Sequence, residues 1–244
     1  MDEPDIDEPT EAVEVIHPTL ALSRAYICRF GAPVITHVDP RLFRLTYFGV
    51  CMDCTYCKDA CCQYGADTEM PRVAALEQHQ AELEQYLGLP RSDWFREDEE
   101  DFGILDEIEY PGGKYTRTQV AELPEGRSPH NEWACVFLDP SGRGCRIHRF
   151  ALERGIDVHT IKPMVCLLFP ASFNHAVLCP AYEFEFDDEL VCRGPGPTIY
   201  SSAKDDIRWY FGDEMIAELD RLEAADRADH PPEAGRLISL PTAS

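Results

Sequence analysis

The sequence predicts an α+β fold: an irregular, cysteine-rich, metal-stabilised domain with short strands and a C-terminal helical region. Three observations carry that prediction. Eleven cysteines stand in a chain of 244 residues, and five of them fall between Cys51 and Cys62. Strand-like and helix-like runs follow one another without the regular alternation that a parallel sheet needs. The longest run with helical spacing lies near the end of the chain, at about 200–225.

The elements follow in order. Residues 1–17 hold seven acids, two prolines and no Lys or Arg, a composition that predicts a disordered acidic tail. Residues 26–38 and 42–50 are aromatic and β-branched and predict short strands. From 72 to 87, Val73, Leu76, Leu83 and Leu87 share one helical face; Asp67 or Thr68 is placed to cap its start, and Gly88 with Pro90 to end it. Residues 104–110 and 114–120 flank Pro111-Gly112-Gly113 and predict a hairpin. A short strand at 134–138 precedes the Pro140-Ser141-Gly142 turn, and a helix at 147–154 ends at Gly155. Residues 173–179 and 182–186 read as strands. The region 200–225 reads as helical, with Phe211, Ile216, Leu219 and Leu222 inward, and 229–244 as a second disordered tail. The organisation expected is one cysteine-cluster domain over 18–228, with its core at 51–196.

Charge narrows the function. Lys and Arg total 22 against 45 Asp and Glu, a net charge of -23. Nucleic acid needs clustered cations, and so do anionic membrane surfaces, so neither is an expected partner. A basic protein partner is, because complementary charge speeds encounter. The start of the chain lacks the basic and apolar regions of a signal peptide, so a cytoplasmic location is expected. A cysteine-dense chain in that reducing compartment binds metal or catalyses more readily than it forms disulfides. The run Glu97-Asp98-Glu99-Glu100-Asp101 lacks the spacing and turn glycine of a hard-cation loop and reads as a solvated helix face or loop.

Cys51, Cys54, Cys57 and Cys61 follow C-x2-C-x2-C-x3-C, the ferredoxin spacing for a [4Fe-4S] cluster. Cys62 stands where ferredoxins carry proline, and the run has no second copy. Neighbouring Cys61 and Cys62 can ligate together by addressing different metal atoms or sites; a vicinal disulfide is the competing reading. The second half carries Cys135, Cys145, Cys166, Cys179 and Cys192, spaced too widely for local zinc knuckles but suited to ligands converging from several elements. These ten cysteines are the candidate metal ligands. The second half holds no Cys-x2-Cys pair of the kind structural zinc uses, which favours iron-sulfur over zinc. Cys28, alone in an apolar stretch, reads as a small buried hydrophobe. His148, three residues after Cys145, could ligate; the commoner role is a hydrogen bond behind the ligands. Lys162-Pro163 reads as a turn device that positions Cys166.

The segment Cys54-x2-Cys57-x3-Cys61-Cys62 resembles the signature of the YkgJ-type cysteine-cluster proteins, which are described as zinc- or iron-chelating domains. Further matches are Cys135 to Leu138, Gly144 to His148, Lys162 to Cys166 with Phe169-Pro170, and Cys192 to Gly196. Cys51 is an additional upstream cysteine, and the gap between His148 and Lys162 exceeds that of the shortest members. The resemblance implies metal chelation. It also implies two possible enzyme classes, since some relatives are iron-sulfur oxidoreductases and flagellin lysine N-methylases carry a similar cluster.

The residues themselves announce no catalytic group: neither a dinucleotide-binding glycine motif nor a P-loop is present. The radical S-adenosylmethionine spacing is missing too, because Tyr64 stands where its third cysteine would be. The expectation is therefore a metal-cluster protein with an iron-sulfur cofactor of the [4Fe-4S] type, acting in electron transfer or as a cluster-stabilised module. The alternatives are an iron-sulfur enzyme, either an oxidoreductase or a protein-lysine N-methylase, and a purely structural zinc domain.

Overall fold

A computed structural model describes residues 18–47, 59–96, 100–101, 109–127, 132–182, 184 and 192–230. The strands are β1 (Leu20–Ile27), β2 (Val34–Val38), β3 (Thr46–Tyr47), β4 (Asp67–Glu69), β5 (Glu100–Asp101), β6 (Lys114–Arg117), β7 (Val120–Glu122), β8 (Trp133–Cys135), β9 (Ala171–Asn174), β10 (Val177–Pro180) and β11 (Arg193–Thr198). The helices are α1 (Met70–Glu77), α2 (Gln80–Leu87), α3 (Arg146–Arg154), α4 (Val158–Ile161), α5 (Met164–Leu168), α6 (Ile199–Phe211) and α7 (Asp213–Asp229). Short strands in separate small sheets beside a helical C-terminal region make the fold α+β, as the sequence predicts.

Two hydrophobic cores organise it. The first lies under a four-stranded sheet ordered β1-β2-β10-β9, in which β10 runs parallel to β2 and the other pairs are antiparallel. Helices α6 and α7 cover it, burying Tyr200, Ile207, Met215 and Leu219 against Ile35, Val38, Phe43 and Leu178. Each such side chain removed from water contributes roughly 1.5–3 kcal/mol. The second core joins α1, α2 and α3 around Trp94, Phe95 and Phe137. Trp94 and Phe137 meet edge to face at 6.1 Å, and Trp94 Nε1 donates to the Leu89 carbonyl at 3.1 Å. Such geometry satisfies both the ring quadrupole and the buried N–H.

Several elements differ from the sequence expectation. Asp39 caps a 3-10 turn at Pro40–Phe43, so the strand expected at 42–50 is reduced to β3, with 48–50 outside the described residues. The helix expected over 72–87 divides at His79, whose amide bonds to the Leu76 carbonyl at 3.0 Å in a tighter turn. Asp67 and Thr68 belong to β4 rather than to a cap, and Pro71 occupies the first turn of α1. Lys114 onward is β6, paired with β4 and β5, while 104–108 lie outside the described residues. Of the acidic run at 97–101, Glu100–Asp101 is the two-residue strand β5 rather than a helix face or loop, and 97–99 lie outside the described residues. Tyr182 and Phe184 are helical rather than extended. The C-terminal helical region is two helices, divided at Gly212 with φ +85°. The two tails expected at 1–17 and 229–244 fall outside the described residues, apart from Asp229 and His230. Among the described residues no helix is long and apolar enough to cross a membrane.

Candidate metal centre

Four separate elements bring five of the predicted cysteines into one neighbourhood. Cys61 and Cys62 lie on the one-turn 3-10 helix Ala60–Cys62, closed by the Cys62 amide on the Asp59 carbonyl at 2.9 Å. They are thiols and not a vicinal disulfide. Cys135 ends β8 opposite Val120, and its thiol donates to Thr118 Oγ1 at 3.3 Å. The same hydroxyl oxygen accepts the Ala66 amide at 2.8 Å, so Thr118 ties Cys135 to the segment that carries Cys61 and Cys62. Cys145 is the N-cap residue of α3 and bridges to Leu138. Cys166 sits in α5, its amide bonded to the Pro163 carbonyl at 3.1 Å, the placement expected from Lys162-Pro163 as a turn device.

Their electrostatics show the grouping. The side-chain hydrogen bond with Cys61 raises the Cys62 thiol well above its ordinary range, helped by burial and by Cys145 and Asp59. Burial, then Cys62 and Cys145, push Cys135 up to about 12. Burial also raises Cys166, with Cys62, Cys135 and Cys145 adding to it and Lys162 opposing. Lys162 faces the same group. Burial works against its charge, yet Cys145, Cys166, Cys62 and Cys61 together leave its pKa raised. Its Nζ lies 3.4 Å from His148 Nδ1. Burial and Lys162 hold the His148 pKa down, so the neutral ring accepts from the ammonium. Thiols gathered at low dielectric keep their protons, and a metal cation is what reverses that balance.

Two more predicted ligands lie on the first-core side, against which Cys61 also packs. Cys179 is opposite Ser172 in the β9–β10 pair, and Cys192 is buried in the first core. Cys51, Cys54 and Cys57 lie outside the described residues. Cys28 is a core residue, as expected, and burial pushes its thiol up to about 11. Sequence reasoning misses Asp59 beside the thiols, and it reads Lys162 only as part of a turn device and not as a charge among them. The only signal for Asp59 is that it stands two residues before a candidate ligand.

The sequence model of the CxxCxxCC family, described as a "putative zinc- or iron-chelating domain", matches residues 53–192. The chain belongs to this family. No curated protein and no solved structure matches the chain. The CxxCxxCC span contains nine of the eleven cysteines and leaves out Cys28 and Cys51. Soft thiolate donors suit zinc and iron, so the donor type fits the family's chemistry. Among the described residues, no three Cys, His, Asp or Glu side chains stand close enough together to hold a metal ion. The described thiols of this CxxCxxCC protein therefore converge without completing a site by themselves.

Proposed function

We propose that this CxxCxxCC protein binds an iron-sulfur cluster of the [4Fe-4S] type and works as an electron carrier or as a cluster-stabilised binding module. The observation that carries this reading is the convergence of Cys61, Cys62, Cys135, Cys145 and Cys166 from four elements onto one half-buried neighbourhood beside Lys162. The ligands would be drawn from these and from Cys51, Cys54 and Cys57, whose spacing suits a cubane. Such a cluster would supply one-electron chemistry. The chain's own residues would hold it, restrict water around it, and set an ammonium against its negative charge. Cys179 and Cys192 are secondary candidates. The acidic surface suits a basic partner.

Anaerobic purification, with metal and sulfide analysis and a visible spectrum on one sample, tests the proposal. Iron with acid-labile sulfide and broad visible absorption is the expected result. Zinc without colour would replace it with a structural zinc domain, and a metal-free, fully folded protein would end the metal reading altogether. Cys57→Ala should lower both metal content and the thermal midpoint, because binding and folding are coupled. Unchanged values for both would remove Cys57 from the ligand set.

A further inference from the structure

Asp59 is the residue that joins the two sides of the thiol group. It precedes the Cys61–Cys62 turn and is only 4% exposed. Its carboxylate accepts from Arg143 Nε at 2.8 Å, Arg143 Nη2 at 3.1 Å and Arg127 Nη2 at 3.0 Å. It also accepts from the Gly144 amide at 3.2 Å, one residue before Cys145. Both arginines are anchored in turn. Arg127 Nε donates to the Asp139 carbonyl at 3.1 Å, and the Arg143 carbonyl accepts from Arg149 Nη2 at 2.9 Å. The backbone at Asp59 is left-handed, with φ +71° and ψ +33°. Asp is one of the few non-glycine residues that tolerate that conformation, and here the carboxylate's bonds to Arg127, Arg143 and Gly144 hold it there.

We propose that Asp59 is the positioning residue of the metal centre: its carboxylate, clamped by Arg127, Arg143 and the Gly144 amide, sets Cys61 and Cys62 against Cys145. This rests on the metal-binding reading above and adds a determinant that is not itself a ligand. A buried carboxylate between two arginines is most often a structural staple. What separates the two roles here is where its bonds end, at the residue before one candidate ligand and two residues ahead of another. Groups that orient metal ligands from behind typically change metal affinity 10–100-fold when altered. Asn keeps the shape of Asp and forfeits the charge that holds both guanidinium groups.

The test is a Co2+ titration of the reduced, metal-free full-length protein, read by the thiolate-to-cobalt absorption bands. Asp59→Asn should bind about 10–100-fold more weakly than the unaltered protein, with shifted bands. Arg143→Gln removes one arm of the clamp at a half-buried side chain and should change both readouts in the same direction, which keeps the test open if Asp59→Asn does not fold. Glu218→Gln is the control. Glu218 is an equally buried carboxylate, held by Ser23 and Tyr26 on β1, and its loss should lower the thermal midpoint while leaving affinity and bands unchanged. Asp59→Asn and Arg143→Gln that bind cobalt as the unaltered protein does, merely melting earlier, would overturn the proposal and leave the metal reading intact. Absence of thiolate-to-cobalt bands in the unaltered protein would overturn the positioning proposal, while iron and sulfide content of the anaerobically purified protein decides the cluster reading separately.

Discussion

Asp139 accepts the Ser141 and Gly142 amides at 2.9 and 2.8 Å and Arg149 Nη1 at 2.8 Å. Burial alone would favour its protonated form, yet these bonds prevail and hold its pKa down to about 2, below the ordinary 3.8. A carboxyl whose folded pKa is depressed stabilises the protein above its unfolded pKa and loses that contribution as pH falls through the folded one. Asp139→Asn should therefore cost about 1–3 kcal/mol at neutral pH, the typical worth of hydrogen bonds to a charged group. The gap between variant and unaltered protein should close as pH drops from about 4 to 2. Urea unfolding across that range measures it, and a gap that persists undiminished at the acid end would show that the bonds do not need the charge. At this scale the sequence marks the cysteines through their spacing. It does not mark Asp59, because an isolated acid carries no local period and its partners Arg127 and Arg143 lie far along the chain, whereas Asp139 bonds within the Pro140-Ser141-Gly142 turn that the sequence does announce.

Gly65 follows the Cys61–Cys62 turn with φ +77°, and a Cβ placed there would meet the Thr118 carbonyl oxygen at 2.9 Å and Thr118 Oγ1 at 3.0 Å. Gly88 ends α2 with φ +63° but has open space around it. Ala at Gly88 faces only the left-handed backbone penalty of about 1–2 kcal/mol. Ala at Gly65 meets the same penalty and must also displace a backbone oxygen, an overpacking cost of about 1–3 kcal/mol more. Guanidinium unfolding of the two variants should rank Gly65→Ala clearly below Gly88→Ala, and equal losses would mean that the backbone at Thr118, between β6 and β7, yields freely. Elements that a local signal fully specifies were legible in the sequence. Helix α3 carries Ile147, Phe150 and Ala151 on one buried face and stops at Gly155. The β9–β10 hairpin was legible only as one strand at 173–179, because nothing local marks its turn at His175 and Ala176, both at positive φ. The division of α1 from α2 was not legible, since Val73, Leu76, Leu83 and Leu87 keep helical spacing across His79 and only the bond to Leu76 reveals the break. Cys61, Cys62, Cys135, Cys145 and Cys166 could be nominated from spacing, but their meeting depends on long-range contacts that no window of sequence contains.

At the scale of the whole molecule, the thiols stand where the two cores meet. Cys61 packs on the first core, and Cys166 belongs to α5, whose Met164 and Leu168 are buried there. Cys135 and Cys145 pack on the second. A metal held across them would crosslink the two. The cores are unequal partners: the first has a four-stranded sheet and helices of 13 and 17 residues, while the second rests on helices of 8, 8 and 9 residues. Helices that short are marginal without tertiary support. A site filled at about a thousand times its dissociation constant contributes about 4 kcal/mol. For a chain of this size that is roughly 8–16 °C in the thermal midpoint. Chelation should therefore lower the midpoint by that order, and amide exchange should quicken first in α1, α2 and α3, ahead of β2 and α6. Restoring the metal should reverse both changes. A chelated protein that melts at the same temperature, with exchange unchanged across both cores, would mean that no metal crosslinks them and would leave the hydrophobic contacts as the whole of their coupling.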